Sequence, residues 1–400
     1  MLLKNEKKII IGYDLTNTCS QITVEEENYE IPTLLCKKVG ANQWLFGHAA
    51  NRFYAEHPEE GILVDNLLQL ALEGEIVQID GRGYHPAALL ALFIKRSLDK
   101  VLKQMGAEKI AGICFAVCKV DQKMNDLIKR IIQTLELKNA DIFCRCYEEC
   151  FYEYLIRQPR ELWQNGALLL DYREKELTAV TLECNSNTIP KVMYSAKRRY
   201  DFGGTDQELL EIVGELCQGK TLSSVYLIGE KFNGDWFGES LKYLCAGRRV
   251  FQGNNLYGKG ACYIVSEESH KNTEQEEEYL FLGPDKLKIN VGMKVNKRGE
   301  ETYNALLDAG MYWEGMEEIF EFYLKEENDI ELLITPLVNA APVHVQMELD
   351  GLKLKKDDVT RVRMKLSMPK ENVLQITVSD LGFGEFRQAH DGKWIKEVDV

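Results

Sequence analysis

The chain has 400 residues, of which 45% are hydrophobic, and this is enough for two or three domains with complete cores. Its formal net charge of -14 argues against nucleic acid as the main partner, because phosphate binding needs a locally positive surface. The short basic patch Lys197-Arg198-Arg199 is interpreted as solvated surface. No stretch approaches the roughly 18 consecutive apolar residues of a membrane helix, and the first residues lack a secretory signal, so we expect a cytoplasmic protein with no membrane partner.

The 11 cysteines are an odd number, scattered through strand-like and helix-like segments, which is typical of reduced thiols in a reducing compartment. Cys144, Cys146 and Cys150 lie close together in the sequence, but they lack paired C-x2-C spacing and have no histidine nearby. We therefore interpret them as core or surface thiols and expect no metal site there.

Residues 1–265 alternate strand-like and helix-like segments, which indicates sheets covered by helices. The predicted strands cover residues 9–14, 21–24, 29–36, 43–46, 76–79, 110–117, 141–145, 167–171, 177–183, 190–195 and 225–229. The predicted helices lie near residues 47–56, 62–72, 85–105, 121–136, 147–157, 205–217 and 235–245. In the helix at 85–105, apolar residues recur mostly three or four positions apart, which predicts one buried stripe.

The C-terminal part of the sequence has a different pattern. The run Ser266–Glu278 is charged and has no hydrocarbon side chains, so residues 266–285 are predicted to be a charged linker with an apolar end at Tyr279–Leu282. Residues 286–400 are predicted to be an antiparallel all-β module, because apolar and polar residues alternate and turn-forming sequences separate the segments. Its predicted strands include Ile330–Ile334, Val343–Leu349, Val362–Leu366 and Leu374–Val378. The alternating aromatic residues Phe320, Phe322 and Tyr323 are interpreted as core, with a binding face as the alternative.

An apolar strand that ends in aspartate occurs twice, at Ile9–Asp14 and at Ala167–Asp171. Each copy leads into a turn and a second apolar stretch, which suggests a duplicated α/β fold whose two aspartates point into a cleft between facing halves. Carboxylates of this kind bind divalent cations as hard oxygen ligands. The alternative is that nearby backbone N–H groups satisfy them, and the sequence leaves both possibilities open.

Several segments, taken in their order along nearly the whole chain, resemble those of the seventy-kilodalton heat-shock chaperone family, within the actin-like ATPase superfamily. These segments are Gly12–Ser20, Ile31–Thr33, Trp44–Ala50, Asp171 with the turn after it, Phe202–Asp206, Val225–Glu230, Tyr257–Ala261, Tyr279–Leu282 and Asn372–Val378. The resemblance implies a duplicated actin-like ATPase fold with a reduced second half in residues 1–265, followed after the linker by an antiparallel β-sandwich in residues 286–400. It also implies a set of candidate nucleotide-binding residues: Asp14, Thr16, Asn17, Thr18, Asp171, Gly203, Gly204, Gly229 and Glu230.

The sequence departs from the family pattern where phosphates would bind. The second phosphate loop of the family is rich in glycine, which lets backbone N–H groups approach a phosphate, but here the stretch is Tyr172–Glu176. We expect these side chains to fill the space for the phosphates and the acidic ones to repel them, with partial compensation by Arg173 or Lys175 as an alternative. In the first loop, Thr16 stands where the family has glycine.

Other departures concern the remaining parts of the fold. Arg145 stands where the family carries a catalytic glutamate, although Glu148 and Glu149 lie close by. Only 24 residues separate Gly204 from Gly229, too few for the lobe that covers adenine in the family. The stretch that corresponds to the apolar peptide-groove loop, residues 295–301, is heavily charged.

We therefore expect a chaperone-like protein with a degenerate ATP site, which acts as a binding or scaffold module for an unknown protein or peptide partner, without catalytic residues, metal or cofactor. The alternative is a nucleotide-regulated chaperone with weak ATPase activity, for which ATP and Mg²⁺ would be the cofactors. A third hypothesis is a phosphotransferase similar to sugar or acetate kinases.

Overall fold

The computed structural model describes residues 7–107, 109–135, 137, 140–173, 175–268, 279–325, 328–338, 341–352, 354, 358–389 and 391–400. The chain divides into two compact units: the first unit is residues 1–183 with 196–276, and the second unit is residues 184–195 with 277–400. The predicted α/β class is confirmed, since the described residues form eight α-helices, sheets with parallel pairs and antiparallel sheets. None of the described helices is both long enough and apolar enough to cross a membrane.

The N-terminal half of the first unit (residues 7–155) is built on a five-stranded sheet. Its elements are β1 (Lys8–Asp14), β2 (Cys19–Val24), β3 (Glu27–Pro32), β4 (Leu35–Lys38), β5 (Trp44–Phe46), α1 (Gly47–Glu56), β6 (Gly61–Val64), α2 (Leu67–Glu73), β7 (Val77–Ile79), β8 (Arg82–Tyr84), α3 (Pro86–Met105), β9 (Lys109–Val117), α4 (Gln122–Leu135), β10 (Asp141–Cys146) and α5 (Tyr147–Leu155). The sheet order is β10-β9-β1-β2-β3. Strands β1, β2 and β3 are antiparallel neighbours, whereas β9 pairs in parallel with both β1 and β10.

The C-terminal half of the first unit (residues 156–183 and 196–268) contains a second sheet with the same order of strands. Its elements are β11 (Ala167–Arg173), β12 (Glu176–Asn185), β13 (Lys191–Asp201), α6 (Asp206–Cys217), β14 (Ser224–Ile228), α7 (Gly238–Cys245), β15 (Arg249–Gln252) and α8 (Leu256–Glu268); the last residues of β12 and the first of β13 belong to the second unit. These strands are arranged β15-β14-β11-β12-β13. Strand β11 is antiparallel to β12 and parallel to β14, which is parallel to β15. Counted along the chain, the strands of the first sheet and the first five of the six strands of the second sheet follow the order 5-4-1-2-3.

The two helices that follow the fifth strand of each sheet, α5 and α8, pack against each other. Their close approach requires glycine, since a Cβ atom at Gly260 of α8 would overlap the carbonyl oxygen of Cys150 in α5. A Cβ atom at Gly12 of β1 would likewise overlap the carbonyl oxygen of Gly258. Interiors are close-packed, so these contacts fix where the first turns of α5 and α8 lie.

Two predicted elements of the first unit are wrong in detail. Residues 29–36 form two strands, β3 and β4, because Pro32 has no N–H for a ladder and Thr33 forms bonds with the β2 region instead. Residues 62–72 do not form one helix: Ile62–Val64 pairs with β4, and α2 begins after Asn66, whose φ of 50° interrupts the chain direction. A short apolar run fits either a strand or a buried helix, and here the pairing of residues 62–64 with β4 makes the run a strand.

The second unit contains two four-stranded antiparallel sheets. Its strands are β16 (Tyr279–Leu282), β17 (Ile289–Lys297), β18 (Glu300–Leu307), β19 (Glu317–Lys325), β20 (Asp329–Pro336), β21 (Val343–Glu348), β22 (Val359–Lys370), β23 (Val373–Gly382) and β24 (Lys393–Asp399). The sheet orders are β18-β17-β20-β21 and β19-β22-β23-β24, and buried side chains from both sheets form one core. The apolar end of the predicted linker is strand β16, which pairs in parallel with Lys191–Tyr194, while residues 269–278 lie outside the described residues.

The aromatic pattern of the second unit differs from expectation at one residue. Phe320 and Phe322 pack against the core, but Tyr323 points to the opposite face and is 62% exposed, so the core interpretation is wrong for Tyr323. The charged stretch at residues 295–301 forms the β17–β18 hairpin, whose turn residues Arg298 and Gly299 both have positive φ.

Candidate functional site

Two strand-end carboxylates and one arginine form the centre of the first unit's cleft. Asp14 is the last residue of β1, and Asp171 lies in the equivalent strand β11; their side chains are 2% and 8% exposed. Arg173, two residues after Asp171, donates from Nη2 to Asp14 Oδ2 at 3.1 Å and from Nε to Asp171 Oδ1 at 3.0 Å. The guanidinium therefore lies between the two carboxylates and is hydrogen-bonded to both.

Two tyrosines complete this arrangement. Tyr147, the first residue of α5, donates its hydroxyl to Asp14 Oδ1 at 2.5 Å, and Tyr257, in the first turn of α8, donates to Asp171 Oδ2 at 3.2 Å. Their rings are stacked with centroids 4.0 Å apart and planes within 4°. Each half thus supplies one aspartate and one tyrosine in equivalent positions. The hydrogen-bond partners of Asp14 and Asp171 are therefore side chains, not the backbone N–H groups that the sequence left open as one possibility.

Burial and charge shift the titration of this cluster. Burial raises the pKa of Asp171, although the charge of Arg173 opposes the shift. Burial, reinforced by the neighbouring carboxylates, raises the pKa of Tyr147 and Tyr257 well above that of a free tyrosine. Burial would lower the pKa of Arg173, but the charges of Asp14 and Asp171 raise it well above the ordinary value. The arginine is therefore a permanent cation, and with both carboxylates ionised the cluster has a net charge of minus one.

A cavity of about 800 Å³ adjoins the cluster. Its walls contain five basic and five acidic side chains: Lys119, Arg173, Lys175, Lys197 and Arg199, and Asp121, Glu148, Asp171, Glu176 and Asp201. The volume is within the usual range for small-molecule pockets. The two signs balance, so the cavity lacks the excess of positive charge that a triphosphate without a metal ion would require.

Two residues of the basic stretch on β13, Lys197 and Arg199, line this cavity, whereas the side chain of Arg198 is 60% exposed. Lys197 Nζ lies 2.8 Å from Oε1 of Glu148, a side chain that is 0% exposed, and the side chain of Lys197 is itself only 20% exposed. Arg199 also lines the cavity, and its Nη2 donates to the thiol of Cys118 at 3.1 Å. The interpretation as solvated surface is therefore wrong for Lys197. The sequence did not show that β13 borders the cleft, because that depends on sheet order.

The predicted residues of the first loop line the same cavity. The hydroxyl of Thr16 accepts the backbone N–H of Cys19 at 3.0 Å, and Asn17 Oδ1 accepts the backbone N–H of Gln69 at 2.9 Å. Thr18 contributes its carbonyl oxygen to the N–H of Thr33. These polar groups hold the loop and the start of α2 in place.

The predicted glycines Gly203, Gly204 and Gly229, together with Glu230, lie outside the residues that line the cavity. Gly204 has a φ of 84°, and a Cβ atom there would lie 2.8 Å from the hydroxyl of Tyr172. At Gly229, with a φ of 98°, a Cβ atom would overlap the backbone of Tyr172. Both glycines thus accommodate Tyr172, the bulky residue beside Asp171. Gly203 donates its N–H to Glu208 of α6 at 3.0 Å, and Glu230 is exposed in a short 3₁₀ turn.

From the sequence, no role was predicted for Tyr147 and Tyr257, and Arg173 was expected to fill the phosphate space or, alternatively, to compensate partly for the acidic residues there. The sequence did contain a signal for the two tyrosines, because each lies at the start of the helix that follows the fifth strand of its half. In a duplicated fold the starts of these helices, α5 and α8, meet. Arg145, which the resemblance places at a catalytic glutamate, instead forms an ion pair with Glu149 at 3.1 Å.

The fold and site together define a two-unit protein with an internally repeated α/β unit, an arginine-bridged cleft and an antiparallel β unit. The chain belongs to the family described as "family of unknown function (DUF5716) C-terminal", whose model matches residues 16–284. Residues 286–400 match a second model, described as "domain of unknown function (DUF8552)". No curated protein matches the chain.

Proposed function

We propose that the protein is a degenerate relative of the seventy-kilodalton heat-shock chaperones, which acts as a binding or scaffold module in the cytoplasm without depending on ATP. In this proposal the first unit is an actin-like fold with a reduced second half, and the second unit is a β-sandwich that contacts a protein or peptide partner. The matched family has no described function, so the support for this proposal comes from the geometry of the site.

The repeated strand order supports the proposed fold. In both sheets the first five strands along the chain have the order 5-4-1-2-3, with a helix after the fifth strand, and these helices pack together at Gly260. The segment between Gly204 and Gly229 contains only α6 and the whole of β14 as regular elements. A segment of this size forms one helical layer, so it supports a second half that lacks the adenine-covering lobe.

The observation that carries the functional proposal is the position of Arg173. The resemblance implies a magnesium ion between the carboxylates of Asp14 and Asp171, but the guanidinium is hydrogen-bonded to both of them. Mg²⁺ requires near-ideal octahedral geometry with oxygen ligands, and a cation beside it would repel it. The residues present therefore do not fit a metal ion, and a magnesium–nucleotide complex loses its main anchor.

The experiment is a thermal-shift measurement on the purified chain with MgATP and MgADP. The expected result is no nucleotide-dependent change in melting temperature, because a ligand stabilises a protein only in proportion to its occupancy. A shift that requires Mg²⁺ and disappears in Asp14→Ala would contradict the proposal and establish the nucleotide-regulated chaperone in its place.

The partner is tested separately, by affinity purification of the tagged full-length chain followed by mass spectrometry, with and without MgATP. A binding module that works without nucleotide retains the same partners in both samples. Release of the captured proteins by MgATP would contradict this view.

A further inference from the structure

Charged side chains join the two halves of the first unit across the cleft. Arg173 of β11 reaches Asp14 of β1 in the other half, and Lys197 of β13 reaches Glu148 of α5. Both acids are almost completely buried, so solvent and salt screen these pairs much less than surface pairs. The first pair is the more central one, because it also involves Asp171.

The environment of the Arg173 guanidinium is that of a bound cation. Two carboxylates face it from opposite halves, and the face of each tyrosine ring is nearby: the guanidinium carbon lies 5.5 Å from the centroid of Tyr147 and 5.6 Å from that of Tyr257. Aromatic faces attract cations through their quadrupole, and carboxylate pairs attract divalent ions. The same carboxylates and tyrosine rings would also attract a cation that is not part of the chain.

We infer that Arg173 is a built-in cation, which takes the place of a metal ion and holds the two halves of the first unit together without any ligand. This inference rests on the proposed function and adds a conformational consequence to it. The cleft is closed by a covalent part of the chain, so its closure does not depend on nucleotide or metal concentration. Removal of the guanidinium should therefore leave a vacant cation site formed by Asp14 and Asp171.

The test uses the full-length Arg173→Ala variant and two cations supplied from solution, methylguanidinium and terbium. Methylguanidinium at millimolar concentration should raise the melting temperature of the variant, while an equal concentration of methylammonium should have a smaller effect because it lacks the planar fork. Terbium should give saturable, tyrosine-sensitised emission in the variant, because Tyr147 and Tyr257 donate hydrogen bonds to the same carboxylates.

Two controls separate the site from general effects. Arg199→Ala removes another arginine that lines the cavity but does not touch Asp14 or Asp171, so it should respond to neither cation. The double variant Arg173→Ala with Asp14→Asn should bind terbium at least about tenfold more weakly than Arg173→Ala, because one of the two carboxylate ligands is gone. The unmodified chain should give no saturable emission.

The inference is overturned if folded Arg173→Ala responds to neither cation, or if the unmodified chain binds terbium as tightly as the variant. If Arg173→Ala unfolds at room temperature, its refolding yield with and without methylguanidinium is the readout, and an equal yield contradicts the inference. These outcomes are distinct from the nucleotide test: a Mg²⁺-dependent ATP shift in the unmodified chain refutes the proposed function, whereas loss of cation rescue refutes only the role of Arg173.

Discussion

Replacement of Arg173 by methionine should destabilise the first unit strongly at neutral pH. The side chain is 23% exposed, and it is the only cation shown to contact Asp14 or Asp171 within the described residues. Its loss changes the net charge of the cluster from minus one to minus two and leaves two buried carboxylates without a counter-ion. Breaking a buried ion pair by removing one partner typically costs about 3–5 kcal/mol, and we expect a cost in this range.

The sign of the pH dependence follows from the same charges. Burial and the charge of Asp14 raise the pKa of Asp171, and without the guanidinium the opposing effect of Arg173 is lost, so this pKa lies further above that of the unfolded chain. A group of this kind loses its contribution to stability as the pH rises through its folded pKa. The deficit of Arg173→Met relative to the unmodified chain should therefore be largest near neutral pH and should shrink as the pH falls toward about 4.

Urea denaturation followed by tryptophan fluorescence measures this difference. The matched control is the triple variant Asp14→Asn, Arg173→Met, Asp171→Asn, which removes the charges together. It should lie within about 1–2 kcal/mol of the unmodified chain, because replacing a whole buried ionic group is often nearly neutral. A cost below about 1 kcal/mol for Arg173→Met alone, with no dependence on pH, would refute the reasoning.

Three further predictions concern other parts of the first unit. Gly260→Ala should destabilise the protein by about 1–3 kcal/mol, because the new methyl group overlaps the carbonyl oxygen of Cys150. Gly214→Ala in α6 should stabilise it by about 0.5–1 kcal/mol, because no atom beyond the adjoining residues and helix backbone lies within 4 Å of the new methyl group. Urea denaturation checks both. Thr205→Ala should cost about 1 kcal/mol in the same assay, since the threonine hydroxyl caps α6 by accepting the Glu208 N–H at 3.3 Å. Burial raises the pKa of Glu153 to about 7, against the opposing charge of Arg157, so the stability that Glu153 contributes at low pH is lost between about pH 4.5 and 7. Glu153→Gln should accordingly gain about 2–3 kcal/mol relative to the unmodified chain over that interval, as measured by urea denaturation across pH.

Each of these has a clear contrary result. Equal effects of alanine at the two glycines would show that the α5–α8 crossing does not need close backbone approach. Full retention of stability in Thr205→Ala would remove the capping role, with Thr205→Ser as the conservative control. Parallel pH profiles for the unmodified chain and Glu153→Gln would show that this carboxyl group titrates normally.

Local features were predictable because they depend on near neighbours in the sequence. The stripe of apolar residues between Leu89 and Leu102 predicts α3, and the helix lies within one residue of the expected bounds. The strands that end at Asp14 and contain Asp171 were found from their apolar runs alone. Thr205, at the start of the predicted helix 205–217, caps α6: its hydroxyl accepts the N–H of Glu208, whose carboxylate accepts the N–H of Gly203.

The central contact of the site was not predictable in this way. Arg173 is only two residues from Asp171 in the sequence, but its second partner, Asp14, is reached only because two sheets with the same order of their first five strands face each other. Tyr147 and Tyr257 meet for the same reason. The sequence predicts a solvated Lys197 because it does not show that β13 lies beside β12 at the edge of the cleft. Contacts of this kind are set by tertiary packing, which local propensity does not determine.

The most direct test of the account is a crystal structure of the unmodified chain grown with an excess of MgATP. We predict that the Arg173 guanidinium is found between Asp14 and Asp171, hydrogen-bonded to both, with neither metal nor triphosphate in the cleft. Ordered density for a nucleotide with its metal ion between the carboxylates, and Arg173 turned away, would contradict the account.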